Sequence, residues 1–149
     1  MDVVASLEAP CAPAALFPWV DDLGRYPDWL DIVPRAVPVE SHPDDVGPAW
    51  SVDLRARVGP FSRAKRLRMV RTELVDLDHV RFERVEHDGR QHSPWVLDAE
   101  VLPSGDGTLL TMRLHYGGRL WMQVLDRLLA EEVERSRPRL LACIGASST

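Results

Sequence analysis

The sequence predicts an α+β fold in which a curved antiparallel sheet wraps around one long C-terminal helix. Three observations predict it. Between about Arg119 and Cys143, Leu120, Trp121, Val124, Leu125, Leu128 and Leu129 recur at i, i+3, i+4 and i+7, the spacing of one buried helical face. From Arg35 to Tyr116 the apolar period falls to two, in short runs separated by glycine, proline and aspartate. A sheet with one apolar face must be covered, and the C-terminal helix is the only segment large enough to do so. A chain of 149 residues fits one domain, residues 1–149, with a sizeable core.

Each element has its own justification. Val3 to Glu8 alternates and reads as a first strand, which Pro10 and Pro13 end. Pro13 suits a first helical turn, where its missing N–H costs nothing, so a short helix is expected over Ala14–Leu23, bent by Pro18 and stopped at Gly24. Tyr26 to Leu30 forms a second short helical turn, with Pro27 near its start and Pro34 beyond its end. Ala36–Val39 is an edge strand, because Pro38 cannot donate to a ladder. His42–Pro48 is a loop. Trp50, Val52, Leu54, Ala56 and Val58 then alternate with Ser51, Asp53, Arg55 and Arg57, giving one apolar and one wet face. After Gly59-Pro60 the chain returns over Arg63–Val75, with Leu67 and Met69 on one face and Arg66 and Arg68 on the other; the alternation slips near Arg71, which predicts a bulge. His79–His87 is the next strand, and Asp88-Gly89 predicts a tight hairpin. Trp95–Val101 and Leu110–Tyr116 alternate on either side of a turn at 103–107, and Gly117-Gly118 leads into the helix.

Composition removes several classes of function. A net charge of −5 and a pI near 5.5 argue against a general nucleic-acid or anionic-membrane binder. No apolar run approaches the roughly 18 residues of a membrane span, and Met1-Asp2-Val3-Val4 lacks a secretory pattern, so no membrane insertion and a cytoplasmic location are expected. Cys11 and Cys143 make no disulfide framework. His42, His79, His87, His92 and His115 form no metal-type pair, and no phosphate-loop, dinucleotide or nucleophile-elbow motif occurs, so neither metal nor cofactor is expected. Among the 18 basic residues only Lys65 is a lysine, a fact to which the sequence attaches no role.

The stretch Asp22-Leu23-Gly24-Arg25-Tyr26-Pro27-Asp28-Trp29-Leu30, together with the order strand, two short helices, six strands and long helix, resembles the START-like or Bet v 1-like (SRPBCC) superfamily. Within it the resemblance is to the polyketide cyclase/dehydrase and coenzyme-Q-binding type, whose D-L-x-x-Y-P-x-W/F signature is matched by Asp22, Leu23, Tyr26, Pro27 and Trp29. The resemblance spans essentially the whole chain, although the motif itself marks the helical corner of the fold and not a reaction centre. It implies a helix-grip fold: a seven-stranded curved antiparallel sheet around a long C-terminal helix, two short helices after strand 1, and an apolar cavity between sheet and helix. Members bind lipids, polyketides, quinones or hormones and only some are enzymes, so fold does not deliver function.

With that resemblance in place, the inward sheet face supplies the candidate ligand-contacting residues. These are Trp50, Leu54, Leu67, Met69, Phe82, Trp95, Leu97, Met112 and Tyr116, with Trp29 from the corner. Aromatics and methionines on a concave face suit an adaptable apolar pocket, and equally suit a solid core. Arg84 joins them if the Phe82 register holds. Glu132 falls on the helical stripe of Leu125, Leu128 and Leu129, beside Ser136. It either points into the cavity or lies at a solvated edge as the stripe turns towards Val133, Leu140 and Ile144. The first functional expectation is therefore binding of a small hydrophobic ligand, lipid, quinone or polyketide-like. The alternative is an aromatase/cyclase or dehydratase that shapes its substrate and draws general acid–base help from Tyr116, Glu132, Ser136 and Arg84.

From Arg55 to Arg71 the chain has seven basic residues and no acid. Either Arg55, Arg57, Arg66 and Arg68 coat a hairpin's outer face and pair with Glu83, Asp98 or Glu100, or the patch attracts an anionic partner, as in a ribosome-toxin kind of interaction module. The chain is expected to be a monomer or weak homodimer, with the strand near Val37 as the pairing edge.

Overall fold

The computed structural model describes residues 2–58, 60–117 and 119–147, the side chains of 58, 61, 119–127 and 147 excepted. The chain runs β1 (Asp2–Ala9), α1 (Pro13–Leu16), β2 (Arg35–Val39), β3 (Ala49–Val58), β4 (Phe61–Val75), β5 (His79–Arg84), β6 (Trp95–Ser104), β7 (Gly107–Tyr116) and α2 (Arg119–Ser147). All seven strands form one antiparallel sheet in the order β1-β7-β6-β5-β4-β3-β2. From β2 to β7 the chain is a simple meander, and β1 then pairs with the last strand. The two edges are thus β1 and β2, and the helical corner between them bridges the sheet. Pro38 accordingly sits on an edge, where its missing donor is harmless.

Period-two patterning explains the sheet's two faces. Val3, Ala5 and Leu7 of β1, Val52 and Ala56 of β3, Leu67 and Met69 of β4, and Leu110, Met112, Leu114 and Tyr116 of β7 all turn inward and are buried. The slip expected near Arg71 is present as a register shift between Arg71 and Glu73 in the β4–β5 pairing, and the buried Thr72 hydroxyl there has no hydrogen-bond partner among the described residues. Gly105, at φ 57°, supplies the left-handed residue of the β6–β7 turn. Gly107 is needed for a different reason: a Cβ there would run into the Ala9 carbonyl oxygen of β1.

Two local expectations are corrected. The helix expected over Ala14–Leu23 is α1 followed by a 3₁₀ turn at Phe17–Trp19, because Pro18 breaks the α-helical ladder. Leu23 instead opens a second 3₁₀ helix, Leu23–Asp28, capped by the Asp22 carboxylate, which accepts from Gly24 N at 2.8 Å. β5 stops at Arg84, so Asp88-Gly89 is the tip of a loop over 85–94 and not a tight hairpin. Side chains redirect this segment. Asp88 accepts from Arg90 N at 3.0 Å and pairs with His92 at 2.8 Å, while His87 is drawn 2.9 Å from Asp45.

The four side chains Leu120, Trp121, Val124 and Leu125 that announce the helix in the sequence lie outside the described residues. Beyond them, α2 buries Leu129, Val133, Leu140 and Ile144, a stripe at helical spacing, and continues through Pro138 to Ser147. Arg137 donates to Glu8 O of β1 at 2.7 Å. Arg139 donates to Asp28 O at 3.0 Å and Pro27 O at 3.3 Å, and it is ion-paired with Asp31. The C-terminal half of the helix is thereby fastened to β1 and to the corner. Among the described residues no helix is long and apolar enough to cross a membrane.

Candidate functional site

Sheet, corner and helix enclose a cavity of about 70 Å³. Its walls are Val52 and Leu54 of β3, Leu67 and Met69 of β4, Trp95 and Leu97 of β6, Met112 and Leu114 of β7, and Leu129 of α2. Leu23, Tyr26, Leu30, Ile32 and Val33 close it from the corner. Among the described residues the one hydroxyl in this wall, on Tyr26, is already used: it donates to Val20 O at 2.9 Å, and burial raises its pKa.

Six of the candidates read from the sequence therefore meet at the cavity: Leu54, Leu67, Met69, Trp95, Leu97 and Met112. Three others fill solid core beside it. Trp50 and Phe82 pack edge to face at 5.6 Å, Phe82 meets Tyr26 at 6.3 Å, and the fully buried Trp29 stacks tilted on Tyr26 at 5.1 Å and donates its Nε1–H to Trp19 O at 3.0 Å. Tyr116 packs against Trp95 at 5.5 Å on the same inward face, beside the cavity lining and not part of it. Sequence reasoning misses the corner residues because the motif there marks scaffold, although Leu30, Ile32 and Val33 are an apolar run next to it.

The polar candidates do not converge. Arg84 is inward in register, opposite Met69, but its guanidinium is spent on Glu86 at 3.0 Å and Ser93 O at 3.3 Å. Ser136 lies in the buried helical stripe and its hydroxyl donates to Val133 O at 2.6 Å, a bond within its own turn. Glu132 does not line the cavity: the buried stripe runs on through Val133, Leu140 and Ile144, as the second expectation has it, and Glu132 lies to one side of it. Its side chain is only 14% exposed and is paired with Arg135 at 3.0 Å, in a separate polar recess of about 280 Å³ between α2, β3 and residues 31–32. Arg55 and Arg57 line the same recess, and Ile32 is common to recess and cavity.

The basic stretch splits by strand face. Arg66 forks Asp53 at 2.7 and 3.1 Å, and Arg68 forks Asp45 at 3.0 and 2.6 Å, in place of the expected Glu83, Asp98 or Glu100. Asp98 is taken by Arg81 and His79, each at 2.8 Å. Lys65 goes the other way. It stands opposite Leu54 in the β3–β4 register and two residues before Leu67, and its Nζ lies 5.9 Å from the centre of the Trp95 ring. Burial, helped by the positive charge of Arg84 and opposed by Glu86, lowers its pKa. The sequence signal that finds it is parity: Lys65, Leu67 and Met69 share a face. Among the described residues, no cluster of three histidine, cysteine, aspartate or glutamate side chains could hold a metal ion.

Comparison with known proteins adds to this geometry. The family model described as polyketide cyclase / dehydrase and lipid transport matches residues 1–142. No curated protein matches the sequence. Among solved structures, a START superfamily protein from Mycobacterium smegmatis is similar with a TM-score of 0.70 at 15% identity, over 97% of both chains. A protein from Thermus thermophilus gives 0.69 at 20% identity over 100% of both. The di-domain ARO/CYC StfQ from the steffimycin biosynthetic pathway gives 0.67 at 16% identity, over 99% of this chain and 51% of that one. At these identities the likeness shows the fold, a helix-grip sheet around a C-terminal helix.

Proposed function

Since the chain belongs to the polyketide cyclase/dehydrase and lipid transport family, we propose that it binds a small apolar molecule in the cavity between sheet and α2. The observation that carries this reading is the cavity's composition. Four strands, the corner and the helix contribute apolar side chains to it, and the only hydroxyl among the described lining residues is committed elsewhere. Such a wall rewards transfer of apolar surface from water by roughly 25 cal/mol per Å², and among the described residues it carries no charged side chain. The cyclase alternative has less behind it, because none of Arg84, Tyr116, Glu132 and Ser136 lines the cavity.

At about 70 Å³ the resting cavity is smaller than the roughly 150 Å³ that admits benzene and the roughly 300–1,000 Å³ of drug-sized sites. Ligand entry therefore moves side chains. Met69 and Met112, unbranched and with several rotatable bonds, are the walls best able to yield.

Native mass spectrometry and thermal shift against acyl chains, quinones and fused-ring aromatics test the reading. At least one class raises the melting temperature of the wild type, and Leu97→Trp, which fills the cavity from a half-buried position, abolishes that shift while keeping the far-UV circular dichroism. A wild-type chain that retains no member of the panel at millimolar concentration defeats the proposal.

A further inference from the structure

The geometry points to Lys65 as the polar anchor of the cavity, a cation placed to bind the carboxylate end of a ligand whose apolar body lies against Trp95. This deepens the reading of the cavity as a binding site and rests on it.

Three observations support it. First, the Lys65 ammonium is on the concave side. Its Nζ lies over a ring that forms the cavity wall, 5.9 Å from the ring centre, so a molecule packed on Trp95 presents its end group within reach of the amine. Second, the charge is unspent. Among the described residues no carboxylate lies within ion-pair distance of Lys65, whereas neighbouring cations are satisfied: Arg84 by Glu86 at 3.0 Å, and Arg66 by Asp53 at 2.7 Å. A half-buried ammonium set over an aromatic face, with no carboxylate among the described residues in ion-pair range and Glu86 acting on it only from farther off, is an expensive arrangement for a sheet to keep without use. Third, among the described residues the wall itself holds no charged side chain, and its one hydroxyl is bonded to Val20 O, so Lys65 is the cation an acidic end group would meet. The competing polar site, the recess by Ile32, is of mixed sign: Arg55, Arg57 and Arg135 share it with Glu132 and Asp31.

A matched pair of probes tests the anchor: octanoate and octanamide, alike in length and differing in charge, measured by calorimetry on wild type, Lys65→Met and Lys65→Arg. The wild type is expected to prefer octanoate by about three- to tenfold, as one partly solvated charge-assisted hydrogen bond provides. Lys65→Met should bind the two probes equally, at or below the wild-type affinity for octanamide, and Lys65→Arg should keep the preference. Because Lys65 is the only lysine, ¹³C reductive methylation marks it and the N-terminus alone, and octanoate, not octanamide, should move the Lys65 methyl resonance. Equal wild-type affinity for the two probes, or a preference that survives in Lys65→Met, overturns the anchor while leaving the cavity intact. Failure of both probes to bind while a quinone or fused-ring aromatic is retained overturns the anchor alone; failure of the whole panel overturns the cavity reading and the anchor with it.

Discussion

Lys65 and Arg66 are adjacent on β4 and lead opposite lives. Arg66 is on the outer face and grips Asp53 of β3 through two hydrogen bonds, and two residues on, Arg68 does the same to Asp45. Lys65 is on the inner face, where its charge meets an indole ring. Within that basic stretch the pleat thus sets Arg66 and Arg68, which tie the sheet's outer surface together, against Lys65, which faces the cavity. The difference teaches that charge in a strand has to be assigned one residue at a time, because parity decides which solvent each side chain meets.

The outer network should yield the largest effect when broken. The Asp45 side chain is fully buried and accepts from Arg68, from His87 at 2.9 Å and from His42 N at 2.7 Å, while His42 stacks on His87 at 3.7 Å. These bonds, above all that from Arg68, hold its carboxyl well below the usual carboxylate range. Asp45→Asn keeps the shape and leaves Arg68 without an anion, so urea denaturation at pH 7 should show a loss of about 2–3 kcal/mol. The pH dependence follows from the sign. A depressed folded pKa contributes stability that is present above the unfolded value near 4 and lost as pH falls through the lower folded value. The gap between wild type and variant should therefore be full at pH 6 and shrink below about pH 4. A gap that stays constant down to pH 3 would mean that the ion pair is not its source.

The same long-range bonds explain what the sequence could and could not disclose. The alternations of Trp50–Val58 and Leu110–Tyr116 are local, and both strands form where the period places them. The bulge after Arg71 was legible as a slip in that period. The 85–94 loop was not, because the partner that draws His87 away from a hairpin is Asp45, far off in the chain. For the site, inward-facing positions were legible as a set, but which of them fill core and which border the cavity depends on the corner. Tyr26 packs on Phe82 and Trp29 on Tyr26, and Leu30, Ile32 and Val33 reach the cavity from a corner tied to β3 by Arg55 N and to α2 by Arg139. Glu132 is the sharpest case: helical phase put it near the stripe, and only the position of β3 shows that it enters a recess of arginines.

A smaller effect is expected on the outer face itself. The Arg66 side chain is 68% exposed, so its fork with Asp53 is bathed in solvent and screened by salt. Arg66→Ala should lower the denaturation midpoint slightly at low ionic strength, and about 0.5 M NaCl should erase the difference. A loss that persists in salt would assign Arg66 a packing role through its aliphatic stem.

The smallest effect on stability, and the one that bears most directly on the contrast, belongs to Lys65→Met. Methionine preserves most of the stem's length over Trp95 and removes a half-buried ammonium that has no carboxylate partner among the described residues. Losing the desolvation cost of that charge outweighs losing one weak contact with the ring, so the melting temperature without ligand should stay level or rise by about 2 °C. Groups kept for binding are often ones that folding alone would discard. A clear destabilisation, comparable with that of Asp45→Asn, would place Lys65 with the arginines of the outer face as a structural cation and dissolve the distinction between the two sides of β4.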